Sequence, residues 1–471
     1  MSVSPFENGP RAQAAHLLNR IGFGPRPGDI GRVLAQGFDR FVESQVYPDA
    51  DADVRSRLSG LQTLDYSTAR VLELFNADNR TIGPIIDEFN SAKLIRAVHG
   101  TNQLQEVLVD FWFNHFNVNL NDGFVRYSLT SYERDAIRPF VLGKFRDLLS
   151  ATAHHAAMMY YLDNYLSTGP RVVGGVTRLG LNENYGRELM ELHTVGVDAG
   201  YTQQDVTEAA RVLTGWGIDN TGRSGQFMFR LANHDRGAKS VFGLGIPAGG
   251  GQEEGDRLVD YLADHPATAQ FISKRLVQRF VSDDPPAGLV GRCAATFQGT
   301  GGDIARVMLT IFGSREFWDP SVFGAKTKTP LEFVLSALRA VDAQVSRASS
   351  VTPVLTAMGM PLYQCIPPTG YTNVGVEWLN PSSHLARVNF AFDIAGGATL
   401  AGITTAPRSA AEGADFTSAT SVATAVADEL FGNRMSFESY EAASRVAAGG
   451  SVSMLTRALG LMLASPEFQA R

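Results

Sequence analysis

The sequence predicts a mainly α protein, a large multi-helix orthogonal bundle with one small β-hairpin insert. Three observations carry this. Apolar residues recur at helical spacing over most of the 471 residues. Two helix starts carry capping-box residues: Thr202 with Asp205 in "YTQQD", and Thr329 with Glu332 in "TPLE", where Pro330 takes the first helical position. Period-two alternation stands out in one place, at Phe227, Phe229 and Leu231 ahead of the turn "NHDRG".

The elements follow in order. Residues 11–22 and 27–47 read as an amphipathic helix pair broken by "GFGPRP". Residues 85–99 and 102–118 are long helices, and 131–164 makes two or three more. Residues 167–180, "STGPRVVGGVTRLG", read as a glycine-rich loop. The stretch "NENYGRELMELH" (182–193) is a helix that should stop near Gly196, and the next begins after Thr202. Residues 225–243 give the hairpin. Helices resume at 253–264, 266–281, 303–313 and 329–341, and 367–384 is an irregular loop. The end is helical apart from the small-residue region 396–424. A faint echo links "LTIFGSREFW" (309–318) to "LMLASPEFQ" (461–469), two helix ends followed by Ser-x-Glu-Phe. One large helical domain over 1–471 is expected, with 244–254 as the alternative sub-boundary.

The bulk numbers exclude several classes. Hydrophobic content is 44% and net charge is −7, values of an ordinary globular chain that advertises neither nucleic-acid nor anionic-membrane binding. Cys293 and Cys365 lie far apart without metal-site spacing. No apolar run is long enough for a membrane span. The opening residues show no basic stretch followed by an apolar one, so the default expectation is a cytoplasmic protein. The sequence leaves cofactor and oligomeric state open.

The chemistry-bearing residues cluster in a few segments. On a helix, Glu183, Arg187 and Glu191 line up at i, i+4, i+8, with Asn184 and Glu188 beside them and Tyr185, Leu189 and Leu192 behind. The bland reading is an exposed ion-pair ladder, each pair contributing a few tenths of a kcal/mol. The functional reading needs partners elsewhere. Glu106, Asp110 and Asn114 form a polar line on an otherwise apolar helix, and such a line must be hydrogen-bonded or it costs stability. His115 follows it, in a context where a histidine is usually a satisfied core residue. His234, Asp235 and Lys239 sit at a turn, which can aim side chains into a cleft but also uses such residues for its own geometry. A metal site drawn from His115, Glu188, Glu191, His193 and His234 is disfavoured by spacing, since Glu191 and His193 point about 200° apart on an ideal helix. No P-loop, dinucleotide fingerprint or nucleophile elbow is present.

The chain resembles the bacterial family catalogued as domain of unknown function 1800. The likeness runs from "HLLNRIGFGP" (16–25) to "LASPEFQAR" (463–471), through "FWFNHFNV" (111–118), "YLDN" (161–164), residues 182–216, "HDRGAKSVFG" (234–243), residues 265–286, "KTKTPLEFVLSALRA" (326–340) and "PPTGY" (367–371). The family name carries no activity, and its members tend to carry export signals. The resemblance implies that the polar blocks around Asn114–His115, Asn182–His193 and His234–Asp235 are more than solvated helix faces, because signatures dense in polar residues point to sites.

The leading expectation is therefore an enzyme, a hydrolase or lyase acting on a polar, carbohydrate-like substrate in an interhelical cleft. Glu188 or Glu191 serves as general acid or base, His115 as the second proton carrier, and Arg187 as the group that holds the substrate or a forming oxyanion. Tyr185 and Asn114 donate hydrogen bonds, and Asn184, His193, His234 and Asp235 complete the binding set. A metal-dependent enzyme and a non-catalytic binding or assembly protein are the alternatives.

Overall fold

The computed structural model describes residues 9–173, 176–219, 224–398, 400–448 and 453–471. Helices dominate, joined by short turns and accompanied by small antiparallel strand pairs. The helix Pro330–Ala340 is buried along its whole length, and Gln103–His115 is nearly so. These two form the centre. Trp112 of the second donates its indole N–H to the Val141 carbonyl at 3.2 Å. Buried hydrophobic residues from Ala14 to Phe468 form one contiguous cluster.

Local signals placed helix starts well. Both capping boxes form, with Thr202 accepting from the Asp205 amide and Thr329 from the Glu332 amide. The 27–47 segment departs from one continuous helix. Gly37 takes φ +85° and divides it into Asp29–Gln36 and Phe38–Val46, a conformation that glycine adopts without steric cost.

The β elements correct two expectations. The strand Phe227–Phe229 exists, but it pairs backwards with Trp216–Ile218 rather than forward across "NHDRG". Trp216–Ile218 is buried at all three positions, so it lacks the alternation that marks a half-exposed strand. Beyond the turn, Lys239–Val241 pairs with Leu244–Ile246. Residues 167–180 are not a simple loop: Thr168–Val173 and Val176–Gly180 pair antiparallel, with an irregularity between Thr168 and Arg171.

Contacts cross the 244–254 stretch closely. Gly255 lies against Trp216, where a Cβ would come within 2.2 Å of the indole ring. The echoed helix ends are built alike: Ser314 Oγ accepts the Phe317 amide at 3.2 Å, and Ser465 Oγ accepts the Phe468 amide at 3.3 Å. Both phenylalanines are buried. Among the described residues no helix is long and apolar enough to cross a membrane.

Candidate active site

The 182–193 segment is helical but not uniform. Asn182 Oδ1 accepts the Asn184 amide at 2.9 Å, and Asn184–Glu188 is α-helix. Leu189–His193 then widens into a π turn. Thr194 Oγ donates to the Leu189 carbonyl at 2.6 Å, and the Gly196 amide donates to Met190 O at 3.1 Å. Such turns re-aim side chains and recur at functional sites.

One face is the ion-pair ladder that the spacing predicts. Arg187 reaches Glu183 at 3.2 Å and Glu191 at 3.3 Å, and donates to Gln203 at 2.9 Å. Glu183 also accepts from Thr207 at 2.7 Å. These groups are about one-third exposed or less, and pairs of this kind contribute a few tenths of a kcal/mol.

Glu188 is different. It is half-buried, and among the described residues no hydrogen bond or ion pair reaches its carboxylate. Burial first, then the neighbouring Glu191 charge, raises its pKa, while Arg187 opposes them. The Tyr161 and Tyr201 phenols both lie within electrostatic reach of Glu188; burial is the first cause that raises both. The Glu191 carboxylate beside Tyr201 adds to the rise of that phenol, and Tyr161 donates to the Ile366 carbonyl at 2.5 Å. The result is a row of Tyr161, Glu188, Glu191 and Tyr201.

Behind this row lie three of the expected residues, in the core. Tyr185 and His193 are each 1% exposed and His115 is 2% exposed. The His115 ring stands 6.2 Å from that of His193 and packs edge-on against Trp112 and Phe116. His115 Nε2 bonds the His193 carbonyl at 3.1 Å. Desolvation drives the His115 pKa well below its ordinary value and pushes His193 down to about 3, so both rings are neutral. Burial likewise raises Tyr185. These groups form the wall behind Glu188 rather than a solvent-facing proton relay.

Asn114 lies apart from the row. Its Nδ2 donates to the Asp110 carbonyl at 2.9 Å and its Oδ1 accepts the Tyr371 amide at 3.1 Å, which fastens the 367–371 loop. The whole polar line is satisfied this way. Asp110 pairs with Lys93 at 2.9 Å, and Glu106 holds Arg138 through two contacts of 2.6 and 3.0 Å. Arg138 also meets Glu133 at 3.0 Å, whose other oxygen accepts the Tyr363 hydroxyl at 2.6 Å. Glu106, Glu133, Arg138 and Arg96 floor a hollow of about 740 Å³ beneath the helix Ala52–Leu58. None of the expected catalytic or binding residues lines it.

His234 and Asp235 belong to a third place. His234 Nδ1 bonds the Thr214 carbonyl at 2.7 Å and Nε2 meets Glu254 at 3.2 Å, where Lys239 also pairs at 2.6 Å. Asp235 chelates Arg211 at 2.8 and 3.2 Å, and Arg211 reaches on to Glu208 at 2.8 Å. This is a closed charge knot in which each group has a partner. Among the described residues no group of three or more His, Cys, Asp or Glu side chains is arranged to hold a metal ion.

The structure thus joins Glu188, Glu191, Arg187, Asn184, Tyr185, His193 and His115 in one neighbourhood and leaves Asn114, His234 and Asp235 outside it. Tyr161 and Tyr201 are the members that sequence reasoning missed. The "YLDN" block that contains Tyr161 was the available signal.

No curated protein and no solved structure matches the chain. A family model described as "Protein of unknown function (DUF1800)" matches residues 16–470, nearly the full length, and the chain belongs to that family.

Proposed function

We propose that the protein is an enzyme using carboxylate acid–base chemistry, a hydrolase or lyase acting on a polar, polyhydroxylated substrate at the Glu188–Glu191 row. One observation carries the reading: two carboxylates within one helical turn live in different surroundings. Among the described residues Glu188 has no partner, and it is biased toward its protonated form by burial and by its neighbour. Glu191 is held by Arg187 at 3.3 Å. A carboxyl whose burial favours its protonated form suits a proton donor, and a neighbour held by an ion pair suits an acceptor. Glu188 is then the general acid and Glu191 the base. Tyr161, Tyr201 and Asn184 offer hydroxyl and amide groups to the substrate. His115, His193 and Tyr185 keep the wall dry, which sustains the bias at Glu188.

Carbon-13 NMR titration of the Glu188 carboxyl tests the pairing. Its midpoint should lie above that of an exposed glutamate and fall in Glu191→Gln. An ordinary midpoint that ignores Glu191→Gln removes the basis for the proposal. Turnover in a screen of glycans and esters should vanish in Glu188→Gln while the folded state is retained; a fully active Glu188→Gln ends the assignment.

A further inference from the structure

The described chain buries four lysines: Lys93, Lys239, Lys326 and Lys328. Three carry ion pairs, to Asp110, Glu254 and Asp283 respectively. Lys328 does not. It is 3% exposed, and its ammonium nitrogen has one neighbour of note, the face of Phe468 at 4.0 Å. The backbone around it is fixed, with the Lys328 amide donating to Gln469 O at 2.8 Å and its carbonyl accepting from Arg387 at 2.9 Å. A buried amine without a counter-ion loses its charge. Desolvation, with Arg387 adding to it and Glu332 opposing, pushes Lys328 down to about 7. A neutral amine is a nucleophile at physiological pH.

Lys328 also has somewhere to act. It lines a hollow of about 280 Å³ together with His16, Asn19, Arg434 and Glu467, a volume suited to a small molecule. Arg434 spends one nitrogen on the Phe323 carbonyl at 2.9 Å and stacks over that ring, which leaves guanidinium donors for a carboxylate. His16 is kept neutral by burial and stacks on Phe323 at 4.0 Å.

We propose that Lys328 is a reactive amine that captures small carbonyl compounds bearing a carboxylate, α-oxo acids, as an imine, with Arg434 holding the carboxylate. In the step, the amine nitrogen attacks the carbonyl carbon. A C–N bond forms, the carbonyl oxygen leaves as water with both amine hydrogens, and nothing is oxidised or reduced. This site shares no residue with the Glu188–Glu191 row, so the two proposals stand or fall separately.

Reductive trapping tests it on the intact chain. The protein is incubated with glyoxylate and cyanoborohydride at pH 7, and adducts are mapped by peptide mass spectrometry. A dominant adduct at Lys328 is expected, with half-maximal labelling near pH 7, whereas surface lysines label slowly there and faster only as pH rises toward their ordinary pKa of about 10.4. Lys328→Met should lose that adduct and keep the slow background at other lysines. Arg434→Met should reduce labelling by glyoxylate at least tenfold and leave labelling by propanal unchanged. Wild-type labelling spread over surface lysines with Lys328 unmodified overturns the proposal without reference to any variant. Equal labelling by propanal and glyoxylate overturns the assignment to oxo acids.

Discussion

Asp110 and Lys93 meet at 2.9 Å inside the core, with side chains 16% and 8% exposed. The pair ties the centre of the 103–115 helix to the helix Ile82–His99. Removing one partner leaves a buried charge unpaired, which costs about 3–5 kcal/mol, whereas replacing both by apolar groups of similar size is often nearly neutral. Lys93→Met should therefore lose several kcal/mol in urea unfolding, and Lys93→Met with Asp110→Leu should recover most of it. Equal losses in single and double variants would contradict the pairing.

Residues on the two sides of the 182–193 segment should separate cleanly. His115→Ala empties an aromatic-lined space and should cost about 3 kcal/mol or more, by analogy with other large-to-small core changes. Glu188→Gln removes no hydrogen bond or ion pair seen among the described residues and should shift the thermal midpoint by no more than a degree or two. A thermal scan of both variants measures this.

Acid should destabilise the fold early. His155 and His193 are lowered by burial to about 4 and about 3. The folded chain thus binds fewer protons than the unfolded chain below the ordinary histidine pKa of about 6.5. Their contribution is complete above that value and is lost as pH falls toward each folded pKa, at up to about 1.4 kcal/mol per pH unit and group. His155 Nδ1 also caps a helix by accepting the Ala157 amide at 3.2 Å, which a proton there would forbid. Glu133, held down to about 2 by Arg138 and Lys93 against the cost of its burial, adds a loss at lower pH. Thermal midpoints between pH 7 and pH 4 should fall, and fall less steeply in His155→Gln.

Gly186 permits the close approach of two helices. A Cβ there would stand 2.8 Å from the Ala210 amide nitrogen. Backbone cannot yield as a flexible side chain does, so Gly186→Ala should cost about 1–3 kcal/mol as an overpacking change. Because the Glu188 row is carried on the same segment, Glu188 titration should move as well.

What was legible in the sequence was local. Thr202–Asp205 and Thr329–Glu332 need four consecutive residues, and both capping boxes form. The periodic polar line Glu106–Asp110–Asn114 was equally visible, as was its need for partners. The partners themselves, Arg138, Lys93 and the 367–371 loop, are set by chain distant in sequence. Strand pairing failed for the same reason: Phe227–Phe229 announces itself, while its buried partner Trp216–Ile218 has no alternation to read. In the candidate site, the Arg187 ladder follows from ideal helical spacing. The burial that makes His115 neutral and the tyrosines near Glu188 are tertiary facts.

The widened turn at Leu189–His193 also governs how this chain tolerates length changes. A π turn holds one residue more than the α-helical register needs. Deleting a single position there would let ordinary winding resume with the flanking register kept, because the widened turn is what absorbs the extra residue. The change would fall on the turn itself, whose side chains would be re-aimed. The same loss within Asn184–Glu188 has no such slack and would swing everything downstream by about 100°, so this chain should tolerate a one-codon loss at the turn better than one in the helix before it.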